Sequence, residues 1–327
     1  MLDKPPIFLI GHFRSGTTIL WHLFNTSSDF TAYYEPLHPH LLTLIASQQT
    51  KDSHRNVRDY WDAYRPHTET LRKIHSVEFA TERLLLEGNE SWLGLETYLN
   101  TLVEMKESNT QVVLGLNRAG LRVQWLRKKF PDAVIIGICR EPRQQYMSLR
   151  AHIPNAYRLD PWYPDAYEHP FWFADLIPHF PFLAQHISDH PYYGIYLIIK
   201  LVREQLRESA DYVFELTQDL QNEPENFVDT LSKIIDSPTN TFQNKQKDIV
   251  QSSSYVISEK EKKWLFSIEK RIENYLNRKK QTNLFYFLEN VVNKRYSRLL
   301  EKQMHLTKKH LKYTLEYQRQ LAEAKYM

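Results

Sequence analysis

The sequence predicts an α/β fold: a central parallel sheet with helices on both faces, continued by a C-terminal helical extension. Three observations carry that prediction. Short apolar, β-rich runs recur through the first 235 residues, each followed by a segment of helical pattern. The first run, in "IFLIGHFRSGTTILWHLF" at residues 7–24, ends in a small-residue turn that opens a helix. From Ser258 onward the composition turns basic and the pattern helical.

In chain order, IFLIG leads into a helix from Thr17 to about Asn25, and FTAYY then ends at Glu35 and Pro36. VVLGL at 112–116 precedes the helical stretch LRVQWLRKKF. AVIIGIC at 133–139 precedes EPRQQYMSLRAH, where Pro142 suits a first helical turn because its missing N–H would have no partner there. DYVFEL at 211–216 precedes a helix beginning near EPENFVDTLSKII. Runs that are apolar throughout fit strands covered on both faces. Between His152 and Pro191 seven prolines stand among tyrosines, tryptophans and phenylalanines. Proline at that density argues against long regular elements. The 152–191 insertion is expected either to cover the sheet or to act as a lid over an acceptor. Beyond it, Leu284, Phe287, Leu288, Val291 and Val292 form a short apolar stripe, with no heptad sustained long enough for a coiled coil. The expected organisation is a domain over 1–257 and a basic helical extension over 258–327.

A chain of 327 residues is long enough to bury about three-quarters of its unfolded surface without covalent staples. Its single cysteine, Cys139, excludes an intramolecular disulfide and fits a reducing compartment; within AVIIGIC it reads as a buried thiol. No apolar run reaches the roughly 18 residues of a transmembrane segment, and the N-terminal stretch lacks the basic region and cleavage site of a signal peptide. The expectation is a soluble, cytoplasmic protein with no nucleic-acid partner. Net charge is +3, but from Ser258 to the end 17 Lys and Arg stand against 8 Asp and Glu, leaving the rest at 25 against 31. A basic tail on an acidic body implies a surface role for the tail. Three are open to it: packing back on the domain, homo-oligomer formation through residues 284–300, or contact with an anionic membrane or polysaccharide.

The turn after the first strand carries GxxxxG between Gly11 and Gly16, the frame of a phosphate-binding loop. Backbone N–H groups of such a loop point at an anion, aided by the dipole of the helix it opens. A triphosphate loop would continue with Lys and then Ser or Thr; this chain has Thr17 and Thr18. Without the lysine the loop is ill suited to magnesium-dependent triphosphate chemistry. Arg14 instead offers a fixed cationic fork. The loop therefore suits a smaller transferable anion that needs no metal clamp.

"FLIGHFRSGTT" resembles the 5′-phosphosulfate-binding loop of sulfotransferases that use 3′-phosphoadenosine 5′-phosphosulfate (PAPS). "FPDAVIIGICREPRQQYMSL" resembles the family's strand–turn–helix for the donor's 3′-phosphate, with Arg140 at the strand end and Ser148 eight residues later. "LTQDLQNEPENFVDTLSKII" is similar to the family's later acidic-Leu turn and helix, so the resemblance runs from about residue 5 to 236. The loop's arginine is similar to that of the carbohydrate and tyrosylprotein branches. Ile19 stands where the small-phenol branch has Trp, so that residue's adenine-stacking role does not carry over. The resemblance implies a P-loop-like sulfotransferase fold and PAPS as nucleotide donor, with no metal. It places Arg14, Ser15, Gly16, Thr17 and Thr18 at the 5′ end and Arg140 and Ser148 at the 3′-phosphate.

Sulfuryl transfer to a hydroxyl needs a group to take the proton and cations for the leaving oxygen. Glu35 is the candidate base: it ends the second strand-like run, and "YYEP" resembles the family segment whose carboxylate is the proposed base. It could instead pair with Arg14 or cap the turn at Pro36. His12, His38 and His40 compete for the role; the HxH of the last two lacks a third metal ligand and reads as hydrogen-bonding histidines. Asn117 and Arg118 end another strand and fit either ligand contact or packing. Lys245, Lys247, Ser252, Ser253 and Ser254 read as ordinary polar residues. The expected acceptor is a hydroxyl, with carbohydrate or glycolipid first, although the aromatic insertion suits phenols, lipids and protein tyrosines as well. Rival readings are a P-loop kinase with a degenerate loop and an inactive scaffold acting through its basic tail.

Overall fold

The computed structural model describes residues 4–47, 60–237, 242, 255–281, 301–317 and 320. The apolar stripe within 284–300 and the polar residues Lys245, Lys247, Ser252, Ser253 and Ser254 lie outside the described residues. Two compact units divide what is described: one holds residues up to 141 and from 201 to 242, the other 142–200 and 255–320.

The first unit is built on five strands: β1 (Ile7–Ile10), β2 (Phe30–Tyr34), β3 (Gln111–Gly115), β4 (Val134–Cys139) and β5 (Tyr212–Glu215). Their order is β2-β3-β1-β4-β5 and every pairing is parallel, with Ile7 opposite Val113 on one side and Val134 on the other. The α/β expectation thus holds. β1, β2 and β3 are buried along their whole length, which is why their sequences are mainly apolar and show no polar alternation. Helix α1 (Thr17–Asn25) follows β1. Between β2 and β3 the chain makes α2 (Leu41–Ala46), α3 (Thr68–Ile74), α4 (Glu78–Thr81) and α5 (Leu93–Glu104). α6 (Val123–Lys129) precedes β4. Leu9, Leu20, Trp21, Phe24, Ile136 and Phe214 are among the residues of the core that fixes α1 against the sheet. Cys139 is buried, and burial pushes its thiol up to about 11, so it stays protonated.

The second unit contains α7 (Pro142–Arg150), α8 (His169–Leu176) and α9 (Pro181–His186). The prolines cut the insertion into short pieces, and Pro170 and Pro181 stand in the first turns of α8 and α9, where a missing N–H costs nothing. α10 (Tyr192–Ser209) leads toward β5. After β5 come a π-helical turn over Leu216–Asn222 and α11 (Pro224–Ile234). α12 (Glu259–Gln281) begins the basic extension, and residues 301–317 are helical. Within the second unit Glu269 of α12 receives both arms of the Arg143 fork at 2.8 and 2.7 Å, and the Tyr192 hydroxyl at 2.7 Å. No helix among the described residues is long and apolar enough to cross a membrane.

Candidate active site

The carboxyl ends of parallel strands form the ligand-binding rim of an open sheet, above all where neighbouring connections leave in opposite directions. Here that place is β1 and β4: the chain leaves β1 for β2 on one side of the sheet, and β5 lies beyond β4 on the other. The loop after β1 folds tightly. A Cβ on Gly11 would stand 2.6 Å from the Ile138 carbonyl oxygen and 2.5 Å from Ser15 Oγ, so only glycine fits. Arg14 (φ 64°) and Gly16 (φ 112°) take left-handed backbone, and the Ser15 N–H closes the turn on the His12 carbonyl at 3.2 Å. Gly16 caps α1 with no side-chain hydrogen bond, so the first N–H groups of the helix have no carbonyl one turn earlier to bond. Ser15 Oγ is buried with no hydrogen-bond partner among the described residues, which leaves it able to contact something bound. These features fit an anionic group. The Thr18 hydroxyl bonds the Tyr34 hydroxyl at 2.9 Å and ties the start of α1 to β2.

Arg140 follows β4 directly and is only 5% exposed. Its Nη1 donates to the Arg14 carbonyl at 3.3 Å, so the guanidinium touches the loop itself rather than lying on the surface. Its own carbonyl accepts from Arg203 Nη1 at 3.2 Å, and Arg203 is ion-paired with Glu215 at the end of β5. Ser148 lies in α7 of the second unit, buried, two turns after Pro142 as its spacing predicts.

Glu35 is the residue after β2, and its φ of 42° is left-handed, a conformation that costs a non-glycine residue about 1–3 kcal/mol. Its Oε1 accepts from Asn117 Nδ2 at 2.7 Å and its Oε2 from Arg118 Nη1 at 2.9 Å. The topology explains the meeting. β3 lies between β1 and β2, so the residues after β3 stand between the loop and Glu35. Arg118 is 2% exposed and its guanidinium lies 4.8 Å from the centre of the Phe13 ring, a loop residue. From sequence alone, pairing with Arg14 stands as the alternative to the base role; in the structure Glu35 is ion-paired with Arg118. Arg118→Met is expected to cost about 3–5 kcal/mol by stranding the Glu35 carboxylate, read as a lower midpoint in urea unfolding.

The competing histidines have settings of their own. His12 is buried with its ring 4.9 Å from that of Phe13. His38 Nδ1 accepts the His40 N–H at 3.0 Å, which puts the proton of a neutral ring on Nε2. Burial first, and then the Arg118 charge, hold His38 well below its ordinary value. From sequence alone Asn117 and Arg118 fit either ligand contact or packing; the signal that brings them to Glu35 is the strand order, which no local pattern contains.

Residues 5–175, just over half of the chain, match the sulfotransferase family. The chain belongs to the sulfotransferase family. No curated protein gave a significant match. As a sulfotransferase it is a transferase, and a hydroxyl is the general acceptor of such enzymes. The matched span starts just before β1 and ends in α8, so it includes the loop, Glu35, Asn117, Arg118, Arg140 and Ser148.

Proposed function

We propose that this sulfotransferase takes its sulfuryl group from PAPS and delivers it to a hydroxyl of a carbohydrate or glycolipid. Arg14, the N–H groups of Gly16, Thr17 and Thr18, and the Ser15 hydroxyl hold the 5′ end of the donor. Arg140 and, on its sequence spacing, Ser148 hold the 3′-phosphate. Glu35 takes the acceptor's proton as the acceptor oxygen bonds to sulfur. Arg14 and the loop N–H groups receive the charge that builds on the 5′-phosphate oxygen as its bond to sulfur breaks. The observation that carries this reading is the Arg140 guanidinium reaching the Arg14 carbonyl, because it brings the two anion-binding elements of neighbouring strands into contact.

The donor has negative groups at both ends, so a protein that binds it needs two cationic anchors at a fixed separation. Arg118 supports this arrangement by pairing with Glu35 while its guanidinium lies against Phe13 of the loop. The acceptor class rests on Arg14 in the loop and on the aromatic insertion, whose faces suit sugar rings.

The test is retention on immobilised 3′,5′-bisphosphoadenosine, followed by transfer of labelled sulfuryl from PAPS to a panel of glycans, glycolipids, peptides and phenols. Retention with labelling of glycans or glycolipids is expected. Labelling of peptides or phenols alone would overturn the acceptor class. Magnesium-dependent ATP consumption without retention would overturn the donor.

A further inference from the structure

We propose that Tyr64 and Tyr98 are positioning residues for Glu35, clamping the backbone on either side of it so that its carboxylate is aimed before any substrate arrives. This rests on the reading of Glu35 as the base. The Tyr64 hydroxyl donates to the Tyr34 carbonyl at 2.7 Å, and the Tyr98 hydroxyl donates to the Pro36 carbonyl at 2.7 Å. Between them the Glu35 carbonyl accepts the His38 N–H at 2.9 Å. Three successive carbonyls are thus fixed by groups from three places in the chain.

The clamp answers a specific difficulty. Glu35 has a left-handed φ of 42° and precedes Pro36, whose ring pushes the residue before it toward extended backbone. Left alone, Glu35 would relax by turning its flanking peptides. The Tyr34 carbonyl belongs to the peptide that φ of Glu35 rotates, and the Glu35 carbonyl to the peptide that ψ rotates. Holding the first on Tyr64 and the second on His38 removes both routes, and Tyr98 anchors the peptide after the proline. Strain of this kind persists only where its surroundings over-determine it.

Both tyrosines are fully buried, and burial raises their hydroxyls well above the ordinary range, so each keeps the proton it donates. The Tyr64 ring packs 4.8 Å from Tyr33 and the Tyr98 ring 5.0 Å from Phe79, which leaves the hydroxyls little freedom. Both residues come from the segment between β2 and β3, Tyr64 from a 3-10 turn and Tyr98 from α5. Those described parts of the segment set the aim of the carboxylate.

The test uses Tyr64→Phe and Tyr98→Phe, which keep the rings and delete the hydroxyls. Labelled transfer from PAPS to a pooled glycan and glycolipid panel should fall roughly ten- to a hundredfold, the loss typical of a carboxylate displaced by about 1 Å. The dissociation constant for 3′,5′-bisphosphoadenosine should stay within about twofold, since the loop is untouched. Crystal structures of the variants should show the Glu35 carboxylate shifted from Asn117 and Arg118. In a Glu35→Asp background, whose carboxylate is already misplaced, the same changes should have a smaller effect. A lowered melting temperature with unchanged turnover would make the tyrosines structural only and overturn the inference, as would full additivity with Glu35→Asp. Tyr98→Phe decides the matter alone if Tyr64→Phe does not fold. Normal turnover by Glu35→Gln would remove the base reading and this inference with it; an inactive Glu35→Gln beside fully active phenylalanine variants removes the inference alone.

Discussion

Glu35→Gln is expected to keep its affinity for 3′,5′-bisphosphoadenosine while its sulfuryl-transfer rate falls roughly 10²- to 10⁴-fold, the usual contribution of a positioned general base. The substitution preserves length and shape but not proton affinity. It has a structural cost as well. Asn117 Nδ2 and Arg118 Nη1 donate to the two separate carboxylate oxygens, so the glutamine NH₂ must face one of these donors, and buried Arg118 loses its counter-charge. The rate should therefore be taken per folded molecule, with the thermal midpoint and nucleotide affinity measured on the same sample. Loss of turnover with intact nucleotide binding assigns Glu35 to the chemical step. Transfer at the normal rate would return the search to other acceptors of the proton, with His12 the first to examine because it lies within the loop.

The sheet strands were legible in the sequence because each is a short, mainly apolar run closed by a turn signal. FTAYY coincides with β2, and the helix begun at Thr17 ends at Asn25 as the pattern indicates. Arg140 at a strand end followed by Pro142 was legible for the same local reason. The order of the strands was not. β3 lies between β1 and β2 although it comes long after both in the sequence, and only that order brings Arg118 to Glu35. Tyr64 and Tyr98 are invisible for a related reason. They sit in ordinary helical turns, and their importance comes from hydroxyls that meet the backbone 30 and 62 residues away. The left-handed backbone at Glu35 runs against the bias of the following proline, so local reasoning points away from it. The proline-rich insertion shows the opposite case: composition announced short pieces, and α8 and α9 are short.

Arg140→Ala is expected to raise the dissociation constant for 3′,5′-bisphosphoadenosine roughly 30-fold or more. Truncating one side of a buried, hydrogen-bonded charge pair costs about 2–5 kcal/mol, and each 1.4 kcal/mol is a factor of ten. The guanidinium is well placed for such a contact: it is 5% exposed, so water screens it little, and its backbone is braced by Arg203. Because Arg140 also donates to the Arg14 carbonyl, a fall in affinity has two sources, a lost phosphate contact or a loosened loop. Adenosine 5′-monophosphate separates them, since it lacks the 3′-phosphate but uses the same loop. If Arg140 binds the 3′-phosphate, the variant should lose most of its preference for the bisphosphate and bind the monophosphate nearly as the native protein does. Equal losses for both ligands would mean that Arg140 serves the loop alone, and the second anchor of the donor would then lie elsewhere. Arg140→Lys sharpens the distinction. A lysine keeps the charge but lacks the planar fork needed to hold a phosphate oxygen and the Arg14 carbonyl together, so it should recover only part of the bisphosphate affinity.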